Sequence, residues 1–339
     1  MIGALSETYK EMAAEAIGVP PGQVSILMIH RAHEDKDYAD QSVYFFFLTG
    51  EPFPSAVGKV GFDPAGAQYL EREHRGLQSL SERWKAIPAA SVPRLLLYRE
   101  VAGRQILLQS ALRGEKVSTW LTPGMRLNGR LGRFLAWAAN WSAALGRATR
   151  TDGEGLVPIW IEEFSVKLDR TNRSRALLDG AAKKVWEGFG STFPAVLAHG
   201  DFCGENILGD DECYGVIDWE LCDALSVPTY DIVDLCLWVA FRTEGHVEPD
   251  PFAALERLLN GRDLMARELR CTLGRYAAAM GIAREFLPPL VALAWAGHCL
   301  KKFGHLRRDE TGHFARARVA VRKILETPAE VISGDREAV

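Results

Sequence analysis

Two stretches of the chain put polar side chains where chemistry could be done. In Leu197-Ala198-His199-Gly200-Asp201-Phe202-Cys203-Gly204-Glu205-Asn206-Ile207-Leu208, apolar strand-like residues bracket a polar loop that carries Asp201 and Asn206. A short apolar strand in Tyr214-Gly215-Val216-Ile217-Asp218-Trp219-Glu220 then delivers Asp218. Phosphoryl transfer needs this kind of grouping: one carboxylate orients or deprotonates an attacking hydroxyl, and hard oxygen ligands hold Mg²⁺ against nucleotide phosphates. Asp201 suits the first task; Asn206 and Asp218 suit the second. Five fixed positions (His199, Gly200, Asp201, Asn206, Asp218) recur by chance on the order of 10⁻⁴ per chain. Two unrelated acidic loops therefore explain the pattern poorly. Cys203 lies in the same loop, but no activating base for a thiol nucleophile is evident in the sequence, and a small tolerated side chain is the simpler account.

The elements that must position these residues can be read from periodicity and punctuation. Residues 5–18 form an amphipathic helix, stopped by Gly18-Val19-Pro20-Pro21-Gly22. Val24 to Ile29 and Ser42 to Thr49 are rich in β-branched and aromatic residues and flank a polar run, which predicts a hairpin with a long loop. Ala56 to Phe62 is a third strand, Gln68 to Leu80 a helix, and Arg94 to Glu100 and Gln105 to Ser110 two further strands about the turn Val101-Ala102-Gly103-Arg104. The remainder reads as helical. Leu131, Phe134, Leu135, Ala138, Trp141 and Leu145 make an apolar stripe, and helices are predicted at 172–187, 231–242, 251–259, 265–280, 284–303 and 312–326.

The pattern His-Gly-Asp-x-x-x-x-Asn from His199, then Ile217-Asp218-Trp219-Glu220, then Pro228-Thr229-Tyr230-Asp231, resembles the aminoglycoside phosphotransferase and choline kinase-like family, relatives of the protein kinases. Protein kinases carry arginine where Gly200 stands and Phe-Gly where Trp219-Glu220 stands, so the resemblance is to the small-molecule branch. It implies an α+β, bilobal, protein kinase-like fold. Residues 1–111 would form a small nucleotide-binding lobe, a leading helix within 1–19 followed by a five-stranded antiparallel sheet with a helix. Residues 112–339 would form a larger, mainly helical lobe for catalysis and substrate.

The implied reaction moves the γ-phosphoryl group of ATP, with GTP left open, in the presence of Mg²⁺, to a hydroxyl of a small molecule. Aminoglycoside-like antibiotics and amino-alcohol or sugar metabolites are the implied acceptors. Rival readings are a non-catalytic nucleotide-binding scaffold and a kinase acting on protein. By the same resemblance Lys59, in Ala56-Val57-Gly58-Lys59-Val60, holds the phosphates. A helix glutamate braces it, Glu73 with Glu71 as the alternative. The backbone of Gln109-Ser110-Ala111 is the hinge that meets an adenine edge. His199 braces the catalytic loop, and Asp231 supports it from the start of a helix. One departure stands out: where kinases cover the phosphates with a glycine-rich loop, His30 to Gln41 contains no glycine, although His33 and Lys36 lie there.

Composition bounds the rest. With 339 residues, 47% apolar and 25% charged, the chain is an ordinary globular protein long enough for two lobes, so disordered and collagen-like classes are excluded. The formal charge of −4 gives no case for nucleic acid, and no apolar run approaches the roughly 18 residues that span a bilayer. The basic cluster Lys301, Lys302, Arg307, Arg308, Arg316, Arg318, Arg322 and Lys323 reads as a solvated helical face. The start lacks the pattern of a secretory leader, and the six cysteines show no zinc spacing, so reduced thiols in a cytoplasmic enzyme are expected. Near-neutrality conceals a gradient. From His199 to Asp250 there are 13 acidic residues and one basic residue, a local −12, which leaves +8 for the remainder. A cationic or polyhydroxylated acceptor is the expectation, with Glu220 and Asp223 as possible contacts beside Glu244, Glu248 and Asp250. The oligomeric state is left open.

Overall fold

The computed structural model describes residues 2–335 apart from 32–40, 84–90, 153–160, 165, 167–172, 190–193, 211–212, 245–249 and 304–312. His33, Lys36, Glu248, Arg307 and Arg308 lie outside the described residues, as do the side chains of Lys301 and Lys302. The chain forms two compact units, one of Met1–Glu115 with Ile207–Cys222, the other of Lys116–Asn206 with Asp223–Val339.

In the first unit, helix α1 (Ile2–Ile17) precedes strands β1 (Val24–Arg31), β2 (Gln41–Leu48) and β3 (Pro54–Gly61), helix α2 (Pro64–Glu82), and strands β4 (Leu95–Val101) and β5 (Arg104–Ser110). The strands make one antiparallel sheet in the order β1-β2-β3-β5-β4, the five-stranded sheet expected. The β4–β5 turn places Ala102 and Gly103 at φ 51° and 76°, the left-handed pair a tight hairpin needs.

Alternation along the strands gives the sheet two faces. On one, Val24, Tyr44, Phe46, Ala56, Val60, Ile106 and Leu108 form a core under α1, whose Tyr9 meets Tyr44 edge-to-face at 5.2 Å between ring centroids. Burying side chains such as Tyr9 and Met12 contributes roughly 1.5–3 kcal/mol each. Hydrophobic spacing names no packing partner for this helix; this face of the sheet is that partner. The other face is shared between α2 and open surface. Helix α2 packs on β3, β4 and β5 through Leu70, Leu77 and Leu80. It starts at Pro64 rather than Gln68 because Asp63 caps it, accepting from the Gly66 N–H, with proline in the first turn.

The second unit is built on helices α3 (Gly129–Thr149), α4 (Arg173–Phe189), α5 (Tyr230–Glu244), α6 (Pro251–Asn260), α7 (Leu264–Met280), α8 (Leu287–Phe303) and α9 (His313–Glu326). The α3 stripe is buried as its spacing required and packs on α7, where Gly146 admits the Met280 side chain. Residues 284–286 form a separate 3₁₀ turn before α8, so the single helix expected over 284–303 is divided. Pro288 and Pro289 occupy the first turn of α8, where a missing N–H costs nothing. A three-strand ribbon of Thr151–Asp152, Pro194–Ala198 and Asp223–Ser226 leads the chain into the loop after Ala198. Among the described residues no single helix is long and apolar enough to cross a membrane.

Candidate active site

In the first unit, register carries side chains across the sheet. Ile29, Val43, Lys59 and Leu107 stand opposite one another, as do Leu27, Phe45, Val57 and Gln109, so all share the face that bears α2. Lys59 is 7% exposed, and its Nζ lies 2.7 Å from Glu73 Oε2 and 2.5 Å from Asp218 Oδ1. Glu73 is fully buried on the apolar stripe of α2, whereas Glu71 lies off the stripe and bonds Arg75 at 2.8 Å. The lysine partner is therefore Glu73. Its carboxylate also accepts from Gln109 Nε2 at 3.4 Å and from the Trp219 main chain.

Asp218 sits at φ 69°, a left-handed conformation that non-glycine residues rarely adopt and that recurs at functional sites. The 3₁₀ turn Trp219–Leu221 follows it. Trp219 is buried, with its indole N–H donating to the Val216 carbonyl, and Gly76 of α2 approaches Cys222 so closely that a Cβ there would fall 2.4 Å from Sγ. Backbone contact thus seats α2, and Glu73 with it, against the segment that carries Asp218.

The charges reinforce the geometry. Burial alone would lower the Lys59 pKa, but Asp218, Glu73 and Glu220 outweigh it and hold the ammonium well above its ordinary range. Burial, then the Asp218 and Glu73 charges, push Glu220 up to about 7 against the pull of Lys59. Glu220 Oε2 accepts from Gln41 Nε2 at 3.5 Å. Leu27 and Ile29, 53% and 48% exposed, continue with half-buried Val43, Phe45 and Val57 as an apolar strip beside the lysine. Gln109 is buried; the Ala111 N–H donates to the Ser55 carbonyl at 3.1 Å and is therefore engaged.

In the second unit, the loop after Ala198 is held from several sides. The Asp231 carboxylate, in the first turn of α5, accepts the N–H of His199 at 2.7 Å and of Gly200 at 3.1 Å. His199 is fully buried, and its Nδ1 accepts from the Asp201 N–H at 3.2 Å, which is a bracing contact. Asn206 Nδ2 donates to the Asp201 carbonyl at 3.0 Å and to Asp201 Oδ2 at 2.8 Å, so its own amide oxygen faces elsewhere. Phe202 stacks on Trp141 of α3 at 5.2 Å, and Trp238 of α5 lies against Gly204, where a Cβ would meet the ring at 2.2 Å. Ser118 N–H donates to the Gly204 carbonyl and its hydroxyl to Glu205. Burial, followed by the Asp201 charge, raises the Cys203 thiol to about 12, which removes it as a nucleophile near neutral pH.

Each predicted site residue thus has a place. Lys59, Glu73, Gln109, Ala111, Asp218 and Glu220 belong to the first unit; His199, Asp201, Asn206, Asp223 and Asp231 belong to the second. Asp223 pairs through its backbone with Ala198, and its side chain lies outside the described residues. Of the other acids, Glu244 lies 3.8 Å from Arg257, and Asp250 pairs with Arg316 at 2.7 Å while capping α6. The sequence reading passed over Gln41 and Trp238. No local pattern marks either, since each acts through a partner far along the chain.

Comparison with known proteins adds an independent line. A model of the phosphotransferase enzyme family matches residues 37–269. A candidate fructosamine-3-kinase of Thermobifida fusca, 15% identical, aligns over 92% of this chain and 99% of its own with a TM-score of 0.50. An aminoglycoside phosphotransferase of Streptomyces rimosus, 17% identical, aligns over 85% and 97% with a TM-score of 0.46. The GDP complex of an aminoglycoside 2′-phosphotransferase, 15% identical, aligns over 95% of both chains with a TM-score of 0.48. At such identities the likeness is one of fold. No curated protein sequence matches the chain.

Proposed function

The chain belongs to the phosphotransferase enzyme family, and on that premise we propose that it transfers the γ-phosphoryl group of ATP to a hydroxyl of a small molecule in a Mg²⁺-dependent reaction. The observation that carries the reading is the buried Lys59 ammonium held by Glu73 and Asp218, since a fixed cation is what phosphate positioning requires.

The roles follow from the contacts. Asp201, oriented by Asn206, accepts a hydrogen bond from the acceptor hydroxyl and takes its proton as the hydroxyl oxygen bonds to the γ-phosphorus. The bond from that phosphorus to the bridging oxygen breaks, and ADP leaves with the electron pair. Lys59 neutralises phosphate charge. Asn206 and Asp218 would supply hard oxygen donors for Mg²⁺, which when bound would supply positive charge against the phosphates. Among the described residues no group of three His, Cys, Asp or Glu side chains converges on a metal position. That fits a cation which keeps waters and substrate phosphates and needs only one or two protein carboxylates. A base can rest on the apolar strip of Leu27, Phe45 and Val57. With the Ala111 N–H engaged, the hinge would meet the base through other main-chain groups.

The acidic stretch favours a cationic acceptor, such as an aminoglycoside-like compound or amino alcohol, and a cytoplasmic setting suits six cysteines that form no disulfide. The glycine-free stretch from His30 to Gln41 favours a second reading, a nucleotide-binding scaffold without turnover. ADP release measured across aminoglycosides, choline, homoserine and sugars separates the two. Release stimulated by a hydroxylated compound supports the enzyme, and nucleotide binding with no release on any acceptor supports the scaffold.

A further inference from the structure

Kinases bring backbone N–H groups to the phosphates by way of glycines, and this chain has none between His30 and Gln41. The sheet offers a different donor in that neighbourhood. Gln41 opens β2, opposite Arg31 on one side and Gly61 on the other, and stands two residues before Val43. Alternation puts its side chain on the face that carries Val43 and Lys59. There Nε2 donates to Glu220 Oε2 at 3.5 Å, and Glu220 lies two residues beyond Asp218 and interacts electrostatically with Asp218, Lys59 and Glu73.

A carboxamide nitrogen carries two hydrogens. Glu220 takes one, and no described residue takes the other. The side chain is only half-buried, so a ligand can reach it. The group is neutral, which matters where, among the described residues, the carboxylates of Asp218, Glu73 and Glu220 lie about the Lys59 ammonium.

We propose that Gln41 is a phosphate-positioning residue: its carboxamide, oriented by Glu220, donates its second N–H to a phosphate oxygen of the nucleotide held by Lys59, so that a strand side chain serves as a phosphate donor. The inference rests on the nucleotide-dependent function proposed above. It assigns Gln41 to the phosphates and not to the base, and that distinction is what an experiment can read.

The test compares affinities for adenosine, MgADP and MgATP, measured by calorimetry or competition, in wild type, Gln41→Ala and the shape-conserving Gln41→Met. Loss of a hydrogen bond to a charged acceptor in a partly exposed position should weaken MgADP and MgATP by about tenfold. Adenosine affinity and the thermal midpoint should stay at the wild-type level. Unchanged MgADP and MgATP affinity in both variants overturns the proposal, as does a parallel loss of adenosine affinity, which would mark a general disturbance of the sheet. If Gln41→Ala fails to fold, Gln41→Met decides. A wild-type protein that binds none of the three overturns the proposed function itself, an outcome distinct from wild-type binding that Gln41 does not influence.

Discussion

Replacing Lys59 with methionine isolates the charge that organises the first unit. Glu73 and Asp218 each touch the ammonium, at 2.7 and 2.5 Å, so the two carboxylates are no more than about 5 Å apart. With the cation gone, two unit charges at about 5 Å repel by about 3 kcal/mol at an effective dielectric constant of about 20. Proton uptake limits the cost. Protonating a carboxyl of ordinary pKa near 4.5 at pH 7 costs about 3.4 kcal/mol, at 1.36 kcal/mol per unit, and about 1.4 kcal/mol at pH 5.5. Lys59→Met should therefore destabilise the protein by at most about 3 kcal/mol at pH 7, and by less, at most about 1.5 kcal/mol, at pH 5.5. The sign follows from linkage. Burial already holds Glu73 and Glu220 above their ordinary values in the wild type; loss of the ammonium raises these carboxyls further, so the folded variant binds more protons than the folded wild type, and the variant's deficit shrinks as pH falls. Urea unfolding followed by tryptophan fluorescence, in chelator to keep metal away, reads the effect at both pH values. A destabilisation that is absent, or that does not change between pH 7 and 5.5, refutes the assignment of the lysine as the counter-charge of a carboxylate cluster.

Two further outcomes follow from the second unit. Asp231→Ala removes the acceptor of the His199 and Gly200 N–H groups, and leaving buried donors unpaired should lower stability by about 2–4 kcal/mol and depress turnover by at least tenfold, as chemical denaturation and steady-state assays would show. Gly204→Ala drives a methyl into the Trp238 ring and should cost about 1–3 kcal/mol; adding Trp238→Leu should restore most of that loss, because the conflict is steric, and a double variant no more stable than the single one would contradict this reading.

How much was readable in the sequence differed by residue, for physical reasons. Lys59 was readable from the family resemblance, since it stands where the family places its lysine, on the third strand between apolar neighbours. A bracing glutamate on this helix was implied by the resemblance, with Leu77 four residues on favouring Glu73 and Glu71 left open; the contact with Lys59 decides for Glu73. The bracing by Asp231 was anticipated from the family pattern, but its two hydrogen bonds cross about thirty residues and have no local signal. The start of α2 was misjudged because Asp63-Pro64, a cap and a first-turn proline, looks like a loop to a reader following hydrophobic spacing. Neither the left-handed backbone of Asp218 nor the return of Ile207–Cys222 to the first unit leaves a mark in residue types, because long-range packing sets both. The same holds for Gln41, a polar residue at a strand end until Glu220 is found beside it.

The central claim, γ-phosphoryl transfer to a small-molecule hydroxyl with Asp201 handling the proton, is tested most directly by one comparison. Transfer of labelled γ-phosphate from MgATP to the best acceptor is measured for wild type and Asp201→Asn, with MgADP affinity measured on the same samples. The expected result is a labelled acceptor with wild type, a fall in turnover of about 10²–10⁴-fold with the variant, and an unchanged affinity for MgADP. Undiminished transfer by Asp201→Asn would contradict the account.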